Sequence, residues 1–137
     1  MTEARINKYF ELANQACKFS DNKQHQLGAV ITYKGRILST GYNTNKTNPV
    51  QEQYNKFRGY DVTTAKNSLH AEISAILKCK DMKIDWNKAN IYIYREHKNG
   101  VKALAKPCKA CEKAIKDLGI KNIYYTIECG IAHEKFD

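Results

Sequence analysis

The sequence predicts an α/β protein, a three-layer α/β/α sandwich built on a mixed central sheet. Three observations lead there. An amphipathic stretch opens the chain, two apolar runs flank a tight Lys34-Gly35 turn, and the second half alternates helix-like with strand-like segments. Strands alternating with helices imply a parallel pair joined by a crossover. The hairpin adds antiparallel strands, so the sheet is mixed and helices must cover both its faces.

Taken in order, residues 2–19 place Ile6, Tyr9, Phe10, Ala13, Ala16 and Cys17 at the three-and-four spacing of an amphipathic helix. Thr2 suits its N-cap and Glu3 its first turn. Residues 27–33 and 36–42 read as the two strands of a hairpin. Residues 43–68 form a long polar loop, a type that is usually functional or disordered in a compact domain. Residues 69–80 look helical, with Ile73, Ile76, Leu77 and Cys79 as the buried stripe. Residues 89–94 read as a central strand and 96–105 as a polar excursion. Residues 108–118 form a helix between Pro107 and Gly119, and 120–126 a further strand. For 127–137, a short edge strand and a tail both remain open.

A length of 137 residues suits one domain with one core, spanning residues 1–137. No stretch approaches the roughly 18–20 apolar residues of a membrane helix, so no membrane partner is expected. The first residues show no apolar signal-peptide core, which leads to the expectation of an intracellular, cytoplasmic protein. The five cysteines are odd in number and unevenly spaced, a poor disulfide framework. The net charge of +9 favours anionic partners such as nucleotide phosphates or nucleic acid. A lysine-rich surface from an AT-rich genome explains that charge equally well, so charge alone does not choose a substrate.

Two segments carry candidate chemistry: His70-Ala71-Glu72 and Pro107-Cys108-Lys109-Ala110-Cys111, each at the start of a predicted helix. Cys108 and Cys111 are three apart and share a helix face, so they can grip one ion. His70 from another helix would complete a Cys₂His set, which leaves a fourth tetrahedral position open, the pattern of catalytic zinc. Helix N-termini carry partial positive charge and favour thiolate over thiol. Glu72, two residues from a ligand, lies close enough to move protons at that position. Each residue also has a plainer reading: His70 as a helix cap, Glu72 as a complement to the helix dipole, and the C-x-x-C pair as a redox dithiol or half of a four-cysteine structural site.

Together, H-x-E followed by P-C-x-x-C resembles the cytidine/deoxycytidylate deaminase superfamily, which also includes tRNA adenosine deaminases. The resemblance spans roughly residues 25–126. It implies a cytidine deaminase-like fold, Zn²⁺ held by His70, Cys108 and Cys111, and Glu72 as the proton shuttle. It further implies that Asn43, in Gly41-Tyr42-Asn43, hydrogen-bonds the substrate and that the Ala71 N–H helps to orient the base. The implied reaction is hydrolytic. Water activated at the metal attacks the amino-bearing ring carbon, Glu72 protonates the ring nitrogen and then the amine, and ammonia leaves. A homo-oligomer is also implied, since these small domains often complete their pocket with a neighbour's loop.

This chain departs from the pattern in two places. Thr44 stands where many deoxycytidylate deaminases have glycine, and residues 27–68 offer no Cys or His for a second, structural zinc. Upstream of His70 the loop is basic and aromatic, with Lys46, Tyr54, Lys56, Phe57, Arg58 and Tyr60. Such residues suit a base stacked over a phosphate; the plainer reading, which stands slightly ahead, is a solvated flap whose aromatics pack on the sheet or on a neighbouring subunit. Cys17 and Cys79 read as small core residues. Cys79 lies over 10 Å along the helix from His70 at about 1.5 Å per residue, too far to share its metal. Cys129 is open between site and tail, His25, His97 and His133 read as surface residues, and Arg95 and Lys98 are placed at the pocket rim. The leading expectation is a deaminase of a free cytosine nucleotide or nucleoside, deoxycytidylate first. The alternatives are a deaminase acting on cytosine or adenine in single-stranded nucleic acid or tRNA, and a non-catalytic zinc-stabilised interaction module with Cys129 as a fourth ligand.

Overall fold

The computed structural model describes residues 2–22, 25–46, 48–56 and 69–136. Its order is α1 (Glu3–Cys17), β1 (Leu27–Tyr33), β2 (Arg36–Tyr42), α2 (Pro49–Asn55), α3 (Ala71–Cys79), β3 (Ala89–Arg95), α4 (Lys109–Leu118), β4 (Asn122–Ile127) and β5 (Gly130–Lys135), with a 3₁₀ turn at Trp86–Lys88. The sheet order is β2-β1-β3-β4-β5. β3 and β4 run parallel across the α4 crossover, and the other neighbours are antiparallel. The mixed α/β sheet expected from the sequence is therefore present. Both hairpin strands begin and end where the alternation placed them. The segment left open at 127–137 forms an edge strand, turning through Cys129 at φ 59°. α2 is new: the sequence reading gave 43–68 as loop throughout. No helix among the described residues is long and apolar enough to cross a membrane.

The layers follow from period-two alternation on β1 and β3. Val30, Tyr92 and Tyr94 face α1, where Tyr9, Phe10, Ala13 and Cys17 cover them. Ala29, Ile31, Ile91 and Ile93 face the other way, onto Ile73, Ala75 and Ile76 of α3 and Cys111, Ala114 and Ile115 of α4. β3 is thus buried on both faces, which is why its sequence is a nearly continuous apolar run. Cys17 and Cys79 are core residues, as expected. Helix ends follow their signals. The Thr2 side chain accepts from the Arg5 N–H, and Gly119 stops α4 in the left-handed region at φ 110°.

α1 is fastened at its C-terminal end. Lys18 pairs with Glu96, just beyond β3, and the Tyr94 hydroxyl donates to the same carboxylate at 2.7 Å. Burial raises the Glu96 pKa, but the hydrogen bonds from Lys18 and Tyr94 outweigh it and hold the carboxyl below its usual value. A carboxylate whose folded pKa is depressed adds stability above its unfolded value of about 4.3 and loses it as pH falls through the folded value. Glu96→Gln should therefore unfold at lower urea than the parent at neutral pH. The two curves should converge in acid, and parallel titrations that keep a constant gap would contradict this.

Candidate active site

The strand directions bring the candidate residues to one edge of the sheet. β1 is antiparallel to both neighbours, so its first residue, Leu27, lies beside Arg95 at the end of β3, and Gly28 lies beside Tyr42 at the end of β2. The N-termini of α3 and α4 open onto the same edge. This is where open α/β sheets gather ligands, outside the carboxyl ends of parallel strands. A cavity of about 320 Å³ lies there, lined by His25, Leu27, Asn43, His70, Ala71, Glu72, Arg95, Leu104, Ala105, Lys106 and Cys108.

His70 and Cys108 are not inside their helices, as the sequence reading had them; each is the N-cap, in extended conformation, and neither side chain caps its own helix. That frees both side chains to turn toward each other. His70 Nδ1 lies 3.2 Å from Cys111 Sγ and 3.6 Å from Cys108 Sγ. Among the described residues, His70, Cys108 and Cys111 form a potential metal-ligand group, with ligand atoms all within 4.8 Å of one another. Tetrahedral zinc at ordinary bond lengths would separate a nitrogen and a sulfur ligand by about 3.5 Å, so the set fits zinc with little rearrangement. Cys129 does not join it. That residue is exposed in the β4–β5 turn, its N–H donating to the Lys102 carbonyl at 3.3 Å.

The two thiols ionise unequally. The Cys111 thiol hydrogen-bonded to it draws Cys108 down to about 3 against burial, with His70 assisting. Cys111 is correspondingly held well up by its bond to Cys108 and by complete burial. Glu72, only 3% exposed, lines the same cavity. Burial raises its pKa, opposed by the nearby His70. Ala71 is the first residue of α3, and an N–H at that position has no partner within a helix.

Asn43 sits at the cavity with both ends of its amide engaged. Oδ1 accepts from the Leu27 N–H at 2.9 Å, and Nδ2 donates to the His25 carbonyl at 2.6 Å. One N–H and one lone pair remain for a ligand. Arg95 lines the same cavity, as the sequence suggested, whereas Lys98 is not among the lining residues. Its Nη1 donates to the Leu104 carbonyl at 3.3 Å, and its Nη2 lies 2.9 Å from His25 Nδ1. Since guanidinium can only donate, that His25 nitrogen accepts. Arg95 Nε is buried with no hydrogen-bond partner among the described residues. Thr126, fully buried, ties this wall together: its hydroxyl accepts from the Arg95 N–H at 3.1 Å and donates to the Ala103 carbonyl at 2.6 Å.

Two features escaped the sequence reading. His25, read as a surface residue, is exposed yet lines the cavity, a role set by strand register that no local pattern shows. α2 also escaped, although Asn48-Pro49 is an N-cap followed by a first-turn proline, and that signal was legible. Of the basic aromatic segment, Tyr54 packs inward and its hydroxyl donates to Asp117 at 2.9 Å, while Lys46 and Lys56 are exposed. Phe57, Arg58 and Tyr60 lie outside the described residues.

Residues 3–127 match the family described as the cytidine and deoxycytidylate deaminase zinc-binding region. ComE operon protein 2 of Bacillus subtilis (strain 168) is 30% identical over 99 residues, which cover 72% of this chain and 47% of the relative. The chain thus spans about half the length of that curated relative. Among solved structures, dCMP deaminase from cyanophage S-TIM5 in apo form superimposes with a TM-score of 0.64 at 24% identity, over 91% of this chain and 84% of that one. The same enzyme in complex with dCMP and dUMP gives 0.64 at 23%, over 91% and 82%. Cytidine deaminase from Burkholderia pseudomallei gives 0.67 at 16%, over 98% and 93%. At these identities the structural likeness establishes the fold.

Proposed function

This chain belongs to the cytidine and deoxycytidylate deaminase zinc-binding family, and from that premise we propose that it hydrolyses the amino group of a free cytosine nucleotide or nucleoside, with deoxycytidylate the first candidate. The observation that carries the proposal is the single cavity lined by His70, Glu72 and Cys108 together with His25 and the cations Arg95 and Lys106. Its size falls in the range of small-molecule sites. The cationic wall suits a single phosphate, and the buried carboxylate suits a ring.

In this reading His70, Cys108 and Cys111 would hold zinc, whose chemistry there would be to make a bound water nucleophilic near neutral pH. Glu72 would pass one proton of the attacking water to the ring nitrogen and then carry the second, from the hydroxyl formed on the ring carbon, to the amine as its C–N bond breaks. Water and cytosine become uracil and ammonia. Burial of Glu72 supports this role, because desolvation raises its pKa and so eases protonation of a group that must both accept and donate. The Ala71 N–H orients the base, and the remaining N–H of Asn43 reaches the sugar or base edge. Arg95, whose guanidinium lines the cavity, receives the phosphate.

The net charge of +9 favours a second reading, in which the substrate is cytosine or adenine in single-stranded nucleic acid or tRNA. One assay separates the two. Zinc-loaded protein is incubated with cytidine, deoxycytidine, their monophosphates and a cytosine-containing single strand, and base conversion is followed by chromatography. Conversion of the monophosphates supports the first reading; conversion of the strand alone, with a steep loss in salt, supports the second. With deoxycytidylate as substrate, Arg95→Gln should raise KM about 10- to 100-fold, the worth of one charge-assisted hydrogen bond, and leave deoxycytidine unaffected. Equal loss on both substrates would remove Arg95 from phosphate recognition. The expected homo-oligomer is tested by light scattering, where a monomer at working concentration would exclude it.

A further inference from the structure

We infer that helix α2 braces the metal centre and that Gln51 is a positioning residue for His70. The inference rests on the reading of His70 as a zinc ligand. Gln51 has no exposed surface and Asn55, one turn later, is 6% exposed. Two buried amides on a seven-residue helix are costly unless they are hydrogen-bonded. Gln51 Oε1 accepts from the His70 backbone N–H at 2.9 Å, and Gln51 Nε2 donates to Asn55 Oδ1 at 2.9 Å. The amide orientation is fixed by chemistry. The His70 N–H can only donate, so the oxygen must face it, and the nitrogen must then find the Asn55 oxygen.

The position of this bond gives it a consequence for the metal site. His70 is the N-cap of α3, and its side chain makes no capping bond. The imidazole meets the two sulfurs from this N-cap position, so its placement also depends on how the backbone before the helix is held. Gln51 holds that backbone on the His70 N–H itself. Three residues further along α2, the Tyr54 hydroxyl bonds Asp117 of α4, the helix whose start carries Cys108 and Cys111. α2 thus grips both ligand-bearing helices, and Gln51 sets where the imidazole points relative to the sulfurs. Groups that orient metal ligands from behind typically contribute 10- to 100-fold in metal affinity.

The test uses the full chain as zinc-loaded protein, together with Gln51→Met, which keeps volume and removes the acceptor, and Gln51→Glu, which keeps the acceptor. Zinc loss to a chromophoric chelator and the visible spectrum of the cobalt-substituted protein are measured. We expect Gln51→Met to yield zinc about 10- to 100-fold more readily, with displaced thiolate-to-cobalt bands, and Gln51→Glu, which keeps the acceptor for the His70 N–H but gives up the donor to Asn55, to be shifted clearly less in both. A folded Gln51→Met protein with parental zinc affinity and an unchanged cobalt spectrum overturns the inference. Equal loss in both variants, with the cobalt bands unmoved, makes Gln51 merely structural and overturns it too. If Gln51→Met gives no folded protein, Asn55→Ala, which frees the Gln51 amide to turn, must shift both readouts in the same direction by less; no shift there overturns the inference. If the parent itself holds no zinc at His70, the underlying reading fails first, and this outcome is distinct from a failure of Gln51 alone.

Discussion

Glu72→Gln should lower kcat by about 10²- to 10⁴-fold, the usual worth of a positioned acid–base group, and leave the zinc content of the protein unchanged. Gln keeps the volume and most of the shape of a side chain that is only 3% exposed, so the α3 core has no cavity to collapse into. It cannot carry a proton from water to a ring nitrogen. Its effect should appear in kcat more than in KM, because the lost interaction belongs to the transition state. Metal analysis and a thermal melt accompany the kinetics. An active Glu72→Gln enzyme would rule out the proton-shuttle role. An inactive variant that keeps its zinc and its fold would rule out the interaction-module alternative, in which Glu72 has no task. Loss of zinc would instead mean that the carboxylate belongs to the metal's ligand set.

The elements that the sequence announced are those whose burial is set locally. β1 and β2 end at the predicted residues because Lys34 and Gly35 both take positive φ, 50° and 81°, as a two-residue hairpin turn requires. β5 was ambiguous because it is an edge strand with alternating half-buried and exposed positions and no fully buried residue. α2 was missed because it is only seven residues long and its buried side chains, Gln51 and Asn55, are polar, which leaves Val50 and Tyr54 as its one apolar pair. The chemical core of the site was legible because His70, Glu72, Cys108 and Cys111 lie in two short motifs at helix starts. Its walls were not legible. His25 enters the cavity through the pairing of Leu27 with Arg95, and Arg95 is aimed by Thr126, 31 residues away in sequence. Such contacts arise only once the sheet is assembled.

The same assembly gives Gly41 a structural task inside a motif otherwise read for substrate binding. α3 crosses β2 at this residue, and Ser39, two positions earlier on the strand, donates its hydroxyl to the Ala75 carbonyl at 2.8 Å. A Cβ at Gly41 would lie 2.6 Å from the Ala71 carbonyl oxygen and 3.0 Å from Ala75 Cα, and closer still to Ala75 N. All three are helix backbone, so no side chain can swing aside; the whole of α3 must retreat from the sheet. Gly41→Ala should cost about 1–3 kcal/mol or more in stability, the range for overpacking a close-packed interface. The retreat also carries His70 and Glu72 away from Cys108 and Cys111, which are anchored on α4. A misplacement of about 1 Å at a reacting centre costs on the order of 10²-fold in rate. Stability, zinc retention and kcat/KM should therefore fall together in Gly41→Ala, whereas Asn43→Ala, which touches no helix backbone, should raise KM with little loss of zinc. Urea unfolding, chelator competition and steady-state kinetics on both variants check this. A Gly41→Ala protein as stable as its parent would show that α3 does not pack against the sheet this closely, and the placement of His70 over the cavity would then need another support.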